Sequence, residues 1–140
     1  MNGAKAVEII FYEKPGCMTN AKQRRFLEAA GHRVIRRDLL TEPWTAGRLH
    51  EFFKDAPVSD WFNRASPRVK SGEIDPQQVT AAAALCLLLE DPLLIKRPLL
   101  EIGPVLIAGF DPGRLQASID LQPPDPHVDL QACSNPHEPR

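Results

Sequence analysis

At positions 14–20 the chain reads Lys14-Pro15-Gly16-Cys17-Met18-Thr19-Asn20, between an apolar run at 7–12 and a segment at 21–30 whose pattern predicts a helix. This order of strand, tight loop and helix places Cys17 where the loop opens into the helix, with Asn20 as N-cap or in the first turn. Unpaired backbone N–H groups and the positive end of the helix dipole favour a thiolate at that position. Cys17 is therefore a candidate nucleophile, although a lone cysteine can equally be a small buried core residue.

Length, charge and cysteine content limit the class of protein. The chain has 140 residues, enough for one domain with its own core. Its net charge of −1 argues against direct binding to nucleic acid or to an anionic membrane surface. The three cysteines contain no CxxC pair, so no disulfide framework is predicted. The N-terminus lacks the apolar core of a signal peptide, and the apolar run at 79–89 is too short to span a membrane. We therefore expect a cytoplasmic protein.

The remaining apolar runs predict the fold class. A second strand is expected at 32–40, after Gly31 ends the first helix. Apolar runs at 99–102 and 105–108 around a Gly-Pro turn predict a β-hairpin, and a last helix is expected to begin at Asp111. The resulting order is β-α-β, a helical insert, then β-β-α. This is the layout of a thioredoxin-like α/β fold, with a mixed four-stranded sheet flanked by helices.

The helical insert contains two predicted helices. The first is capped by Thr45, and the second is expected to begin at Asp75 and to end near Glu90. Because the stretch 79–89 is apolar nearly all round, the second helix is predicted to be deeply packed, with Cys86 in the core.

Three arginines in the second predicted strand, Arg33, Arg36 and Arg37, allow two interpretations. They could form an anion-binding patch, or they could protect an edge strand from unwanted pairing. The edge strand is the favoured interpretation.

Composition divides the chain into a domain at 1–120 and a tail at 121–140. The tail contains five prolines and no sustained apolar periodicity, so it is predicted to be disordered. Four of its side chains are of types that bind metals: His127, Asp129, Cys133 and His137. Their spacing matches no standard metal site, so no metal is predicted.

Four motifs occur in order along the chain: Phe11-Tyr12-x-x-Pro15-x-Cys17, Asn63-Arg64, Leu94-Ile95-Lys96-Arg97-Pro98-Leu99 and Val105-Leu106-Ile107-Ala108-Gly109-Phe110. Together they resemble the arsenate reductase (ArsC) and Spx-like family, a thioredoxin-fold group, over about residues 6–120. The opening Phe-Tyr-Glu-Lys-Pro-Gly-Cys and the helix end at 30–32 are similar to the nitrogenase-associated members of that family.

The resemblance implies roles for particular residues. Cys17 would be the redox cysteine, with Arg97 beside it and Pro98 as a cis-proline. It also implies an anion or thiol substrate near Cys17, with Arg64 as a second cation. A guanidinium near the sulfur would stabilise the thiolate and offer two parallel N–H donors to an oxyanion. The predicted substrate- or anion-binding set is Arg97, Arg64, Pro98, Asn20 and Lys14.

The sequence departs from the pattern of arsenate-reducing members at two places. These members carry an arginine after the glycine of the last strand, where this chain has Phe110. They also carry a Ser-Arg pair after the cysteine, where this chain has Asn20-Ala21. Two cations fewer should severely weaken binding of a doubly charged oxyanion, so arsenate is not the expected substrate. Asn20 also occupies the second cysteine position of the CxxC switch of many Spx-type regulators, so no local disulfide can form.

Two functional hypotheses follow. In the first, the protein is a thiol oxidoreductase without a bound cofactor, whose single redox cysteine, Cys17, is returned to its reduced form by glutathione or glutaredoxin. In the second, it is a non-catalytic adaptor or regulator that binds a protein partner, in nitrogen fixation or in Spx-like control of transcription.

Overall fold

A computed structural model describes residues 6–118 of the chain. In chain order its helices and strands are β1 (Glu8–Glu13), α1 (Met18–Ala29), β2 (Arg33–Asp38), α2 (Ala46–Phe53), α3 (Pro67–Lys70), α4 (Ala81–Glu90), β3 (Leu99–Ile102), β4 (Val105–Ala108) and α5 (Pro112–Ser118). Two short 3-10 helices are present as well, Val58–Trp61 before α3 and Pro92–Leu94 after α4. The predicted order of a β-α-β half, a helical insert and a β-β-α half is confirmed.

The four strands form one mixed sheet in the order β2-β1-β3-β4. β1 is parallel to β2 and antiparallel to β3, which is in turn antiparallel to β4. Phe11 in the central strand β1 pairs with Arg36 on one side and with Leu100 on the other. β1 and β4 therefore run in the same direction, and the loops that follow them, 14–17 and 109–111, lie at one end of the sheet. We call this the Cys17 end of the sheet.

Helix α1 begins at Met18, slightly earlier than the sequence pattern predicts, and ends in a Schellman motif. The N–H of Gly31 donates to the Glu28 carbonyl at 2.9 Å, and the N–H of His32 donates to the Leu27 carbonyl at 3.2 Å. Gly31 has φ +96°, a conformation that residues with a side chain rarely adopt. The predicted role of Gly31 as the end of the helix is confirmed, and the chain turns there directly into β2.

The sheet separates two apolar cores. The core on the side of α1 and α5, which we call the α1 face, contains Ile9, Phe11, Leu27, Leu100, Ile102, Ile107, Phe110 and Leu115. The core on the side of α2 and α4, which we call the α4 face, includes Tyr12, Leu39, Leu49, Phe52, Phe53, Trp61, Phe62, Leu88, Leu94, Ile95 and Leu99. The predicted cap of α2 is confirmed, because the Thr45 hydroxyl accepts a hydrogen bond from the Arg48 N–H at 3.1 Å.

Helix α4 begins at Ala81 and not, as the Asp-Pro-Gln pattern predicts, at Asp75. The Asp75 carboxylate accepts a hydrogen bond from the Gln77 N–H at 3.0 Å, which closes a turn. The helix is capped instead by Thr80, whose hydroxyl accepts from the Ala83 N–H at 3.1 Å. An aspartate side chain accepts hydrogen bonds from backbone N–H groups just ahead of it both in a turn and at the start of a helix. The local sequence pattern therefore does not distinguish a turn from a helix start.

The prediction that α4 is deeply packed, with Cys86 in the core, is also wrong. Only Ala84 and Leu88 of this helix are buried, whereas Cys86 is exposed. The exposed fraction is 36% for Leu89 and 44% for Leu93, just beyond the helix. Helix α4 packs against α2 and the 3-10 helices, so only one side of it contacts the core. The apolar composition of α4 therefore gives an exposed apolar surface and not a central core helix.

The Tyr12 side chain reaches a small polar group on the α4 face. Its hydroxyl donates to Glu101 Oε1 at 3.4 Å, and the Arg48 guanidinium donates to the same carboxylate. Arg48 also lies over the ring of Phe52, 4.9 Å from the ring centre. Burial is the largest of the effects that together raise the pKa of Tyr12 above its ordinary value.

β2 lies at an edge of the sheet, as favoured from its arginines. Each of these arginines forms an ion pair with a glutamate: Arg33 with Glu8, Arg36 with Glu13 and Arg37 with Glu42. The pairs balance the positive charge that an anion-binding patch on this strand would require.

Several predictions concern residues outside 6–118. The domain boundary at 120, the tail at 121–140 and its metal-binding side-chain types, His127, Asp129, Cys133 and His137, all lie outside the described residues. Of the helices in the described range, none is long and apolar enough to cross a membrane.

Candidate functional site

Cys17 is the N-cap residue of α1, at the end of a tight loop that follows β1. The loop is closed by a hydrogen bond from the Cys17 N–H to the Lys14 carbonyl at 3.1 Å, and Gly16 supplies the positive φ, +83°, that the turn needs. No side chain caps the helix, and its first turn contains no acidic residue. Cys17 therefore lies at the N-terminal end of the helix, beside the first-turn N–H groups that a capping side chain would accept from. The exposed fraction of Cys17 is 9%, so it is largely sheltered.

Asn20 holds the Cys17 loop against α1. It lies in the first turn, where its exposed fraction is 2%, and its Oδ1 accepts a hydrogen bond from the Lys14 N–H at 3.1 Å. Its Nδ2 donates to Oε1 of Gln23, which is also buried, at 3.1 Å. Of the two positions predicted for Asn20, the first turn is confirmed. Both the oxygen and the nitrogen of the Asn20 amide form hydrogen bonds within the protein. The side chain therefore fixes the loop without a ligand.

A second connection joins α1 to the end of β1. The Glu13 carboxylate, only 6% exposed, forms an ion pair with Arg24 of α1 at 3.4 Å and one with Arg36 of β2 at 2.8 Å. Glu13 directly precedes Lys14, so the residues on either side of the start of the loop are both tied to α1. Sequence reasoning missed Glu13, because a charged residue at the end of a strand is usually exposed.

The peptide bond between Arg97 and Pro98 is cis, as the resemblance implied. Pro98 is buried directly before β3, and its carbonyl accepts a hydrogen bond from the Gly109 N–H at 2.7 Å. In the β1–β3 register Tyr12 pairs with Leu99, so the residues before β3 face the residues after β1. The half-buried Arg97 and the buried Pro98 therefore lie at the Cys17 end of the sheet, beside the start of the loop.

The other predicted cations lie on different parts of the surface. Lys14 is half-buried in the loop itself, and its backbone forms both of the hydrogen bonds that close the loop. Arg64 is exposed and forms an ion pair with Asp60 at 3.3 Å. Phe62 bridges to Ile95, which places the segment before Arg64 alongside the segment that leads to Arg97. The structure thus brings Cys17, Lys14 and Asn20 together in one loop and turn, and it places Arg64 in an ion pair of its own.

Phe110 occupies the position where the resemblance leads one to expect an arginine. It is buried in the α1-face core, and its ring meets that of Phe26 edge to face, with ring centres 6.1 Å apart. The residue before it, Gly109, has φ +82°, and a Cβ built there would lie 2.8 Å from Lys96 Cε. Lys96 was absent from the predicted set, although the Lys-Arg-Pro order and the glycine after the last strand were the signals that could have indicated it.

The two described cysteines differ in their surroundings. Cys17 is sheltered at the start of α1, whereas Cys86 is exposed on α4. Within residues 6–118, no group of three or more histidine, cysteine or acidic side chains is arranged to hold a metal ion. The Cys17 end of the sheet holds a sheltered thiol, and the half-buried Lys14 and Arg97 lie in the chain segments next to it.

Comparisons with known proteins show which family and which solved structures the chain is similar to. The model of the ArsC family matches residues 12–118. A protein of Rhodospirillum rubrum, named an uncharacterized 15.7 kDa protein in the draG 3′ region, is 44% identical over 126 residues, which cover 90% of this chain and 87% of that protein. The regulatory protein MgsR of Bacillus subtilis (strain 168) is 26% identical over 110 residues, covering 77% and 87% of the two chains. An arsenate reductase structure from Vibrio cholerae, 18% identical, superposes with a TM-score of 0.68 over 82% of this chain and 100% of that chain.

Proposed function

This chain belongs to the ArsC family, and we propose that it is a thiol oxidoreductase that uses Cys17 as its single redox cysteine. The observation that carries the proposal is the position of Cys17 as the N-cap residue of α1, in a loop that Asn20 braces. The N–H groups of a first turn and the positive end of the helix dipole favour a negative charge at this position. The exposed Cys86, on the surface of α4, has no comparable setting.

The reaction consists of two thiol–disulfide exchanges. In the first, the Cys17 thiolate attacks the glutathione sulfur of a mixed disulfide, which forms a disulfide between Cys17 and glutathione and releases the substrate thiolate, which takes up a proton. In the second, the thiolate of another glutathione attacks the sulfur of the bound glutathione. This exchange releases glutathione disulfide and regenerates the Cys17 thiolate. Two electrons pass from glutathione to the substrate disulfide, and no bound cofactor takes part.

The residues around Cys17 have separate roles in this proposal. Asn20 and Pro98 set the shape of the loop and of the neighbouring chain, so that the sulfur is held in one place. Arg97 and Lys14 supply positive charge that favours the thiolate and the anionic partner. Arg64 stays a predicted second cation for the substrate, and its guanidinium forms an ion pair with Asp60 in this structure. Phe110 removes the charge that a doubly charged oxyanion would need, which supports a thiol substrate over arsenate.

The test compares single cysteine variants in glutathione-dependent reduction of a peptide–glutathione mixed disulfide. We expect Cys17→Ser to abolish turnover and Cys86→Ser to leave it unchanged, because Cys86 lies on another face of the protein. Mass spectrometry of the quenched wild-type reaction should detect one glutathione disulfide-bonded to the peptide that contains Cys17. Equal turnover by Cys17→Ser and the wild type would reject the proposal, as would glutathione found only on Cys86.

A second candidate function, a non-catalytic adaptor or regulator, is supported by the similarity to a protein named as a regulator in Bacillus subtilis. The resemblance to nitrogenase-associated members implied a role in nitrogen fixation, and that role is part of this second candidate function. In a host that lacks the gene, a Cys17→Ser protein that restores the wild-type phenotype would support the adaptor and contradict the enzyme. Deletion of residues 121–140 is the matched change for the adaptor, and it should impair function while unfolding of the remaining domain is unaltered.

A further inference from the structure

The side chain of Lys96 lies across Gly109. A Cβ built on Gly109 would be 2.8 Å from Lys96 Cε, which is closer than normal contact, and 3.5 Å from its Nζ, which is an ordinary contact distance. The aliphatic part of Lys96 thus occupies the space that a side chain at position 109 would fill. The position favours glycine because its φ is +82°. In this structure the ammonium group lies next to the end of β4.

The place where Lys96 is held is the Cys17 end of the sheet. Gly109 directly follows β4, and its N–H donates to the carbonyl of Pro98 at 2.7 Å. β3 lies between β4 and β1, so Gly109 is about two strand spacings, roughly 10 Å, from the end of β1. The ammonium of Lys96 lies beside Gly109, so its charge is about this distance from the end of β1, which is within electrostatic range at low salt.

The neighbouring residues make Lys96 the replacement for a missing charge. Phe110, where the family resemblance implies an arginine, is turned into the core against Phe26. The acidic residue that follows, Asp111, uses its Oδ1 as acceptor for the N–H groups of Gly113 and Arg114, at 3.0 and 3.3 Å. That carboxylate thus serves the start of α5. A positive charge remains at this end of β4, but it comes from the segment before Pro98.

We propose that Lys96 is a specificity-determining residue of the Cys17 site, whose ammonium attracts the carboxylate of an anionic thiol or disulfide such as glutathione. A lysine ammonium is a compact point charge and lacks the planar pair of donors with which arginine holds an oxyanion. This chain has Phe110 where arsenate-reducing members have an arginine, and Lys96 supplies the positive charge instead. The preference of the site therefore shifts from a doubly charged oxyanion to a singly charged carboxylate. The identity of the thiol partner rests on the proposed function, whereas the charge effect on Cys17 does not.

The test measures the rate at which Cys17 is alkylated by two reagents of similar size, the anionic iodoacetate and the neutral iodoacetamide. Cys86 and Cys133 are replaced by serine so that a single thiol reacts. A positive charge near the sulfur raises the rate with iodoacetate relative to iodoacetamide. We expect Lys96→Met, which keeps the aliphatic contact with Gly109, to lower this ratio roughly two- to tenfold at low salt, as expected for one charge at about 10 Å. High salt should remove most of the difference.

Two variants complete the comparison. Lys96→Arg keeps the positive charge and should keep the ratio of the parent protein. Lys54→Met removes an exposed lysine just past α2 and should also leave the ratio unchanged. An unchanged ratio in Lys96→Met would overturn the proposal, as would an equal fall in Lys54→Met. A lowered ratio in a protein that shows no glutathione turnover would uphold the role of Lys96 in the charge of the site and reject the proposed function.

Discussion

Helix α1, on one face of the sheet, buries an asparagine and a glutamine in its first turns, whereas α4, on the other face, leaves a leucine and a cysteine exposed. The sequence of α1 contains few apolar residues, yet Asn20 and Gln23 are almost completely buried. The sequence of α4 is almost entirely apolar, yet Ala84 and Leu88 are its only buried residues. Composition alone would assign the deeper position to the wrong helix.

The difference teaches that the two helices are held in place by different interactions. The amides of α1 are buried because each finds a hydrogen-bond partner, which fixes the Cys17 loop in one geometry. Helix α4 is attached by an apolar contact of Ala84 and Leu88, against which Leu85 and Leu87 are partly buried. Substitutions on the two helices should therefore differ both in size and in what they change.

The largest effect is expected at the apolar contact of α4. Leu88→Ala removes a side chain that is completely buried, so it should lower the free energy of unfolding by about 2–5 kcal/mol. The matched control is Leu89→Ala, one position along, which should cost less than about 1 kcal/mol because that side chain is partly exposed. Urea unfolding followed by tryptophan fluorescence measures both. Equal losses for the two variants would mean that α4 is covered on both sides.

A smaller loss of stability, with a separate chemical effect, is expected on α1. Asn20→Ala removes the acceptor of the Lys14 N–H and the donor to the Gln23 amide oxygen, which should cost about 1–3 kcal/mol. Alkylation of Cys17 by iodoacetamide at neutral pH should slow as well, since the loop no longer holds the sulfur at the first turn. Arg25→Ala, an exposed change on the same helix, is the control for both measurements. A variant that loses stability but alkylates at the parent rate would show that Asn20 is purely structural.

Tyr12→Phe should cost about 1 kcal/mol at neutral pH, because it removes the long hydrogen bond from the hydroxyl to Glu101 and the contact of the hydroxyl with Arg48. The difference in stability between the wild type and Tyr12→Phe should change at alkaline pH. Burial raises the pKa of Tyr12, so the folded protein holds the phenolic proton more tightly than the unfolded chain does. That contribution to stability is complete below about pH 10 and is lost as the pH rises through the raised pKa.

The alkaline effect can be measured in two ways. Tyr12 is the single tyrosine of the chain, so its ionisation can be followed directly by absorbance in the native and urea-unfolded protein. Urea midpoints from pH 8 to 11 should fall more steeply for the wild type than for Tyr12→Phe. Parallel slopes for the two proteins would contradict a raised pKa in the folded state.

The smallest effect is expected at the exposed surface of α4. Cys86→Ser should change the free energy of unfolding by less than about 0.5 kcal/mol, because the thiol contributes little to the core. In the native wild-type protein, a neutral alkylating reagent should reach Cys86 without unfolding. A loss of more than 1 kcal/mol, or a Cys86 that reacts only after unfolding, would restore the interpretation of α4 as a buried helix.

Much of the fold could be predicted from local patterns. Strands β1 and β2, the glycine at 31 and the hairpin of β3 and β4 are each specified by a few neighbouring residues whose apolar spacing and turn chemistry agree. The start of α4 could not be predicted, because Asp75 and Thr80 both offer a side-chain oxygen to the backbone and only packing selects between them. The exposure of Cys86 depends on which side of α4 meets α2, which apolar composition does not indicate.

The candidate site was predictable to a different degree. The position of Cys17 at the start of α1 follows from the order of strand, loop and helix, and the cis bond before Pro98 was implied by the resemblance. The bonds of Asn20 to Lys14 and Gln23 needed the path of the loop. Lys96 and Gly109 are thirteen positions apart, and they meet only because the β3–β4 hairpin brings the chain back. Contacts made across the sheet are the part of the site that sequence patterns did not supply.

The strand order has a consequence for how the protein is made. Central strand β1 pairs with β2 soon after it in the chain, but its other neighbour, β3, is synthesised only after the whole helical insert. Until then the backbone groups of β1 that pair with β3, at Ile10, Phe11 and Tyr12, have no strand partner. An unpaired, apolar edge of this kind is where nascent chains associate with one another or with chaperones. The long sequence separation also makes the pairing of β1 with β3 a slow step of folding, so the domain that carries Cys17 is completed only when the final hairpin docks.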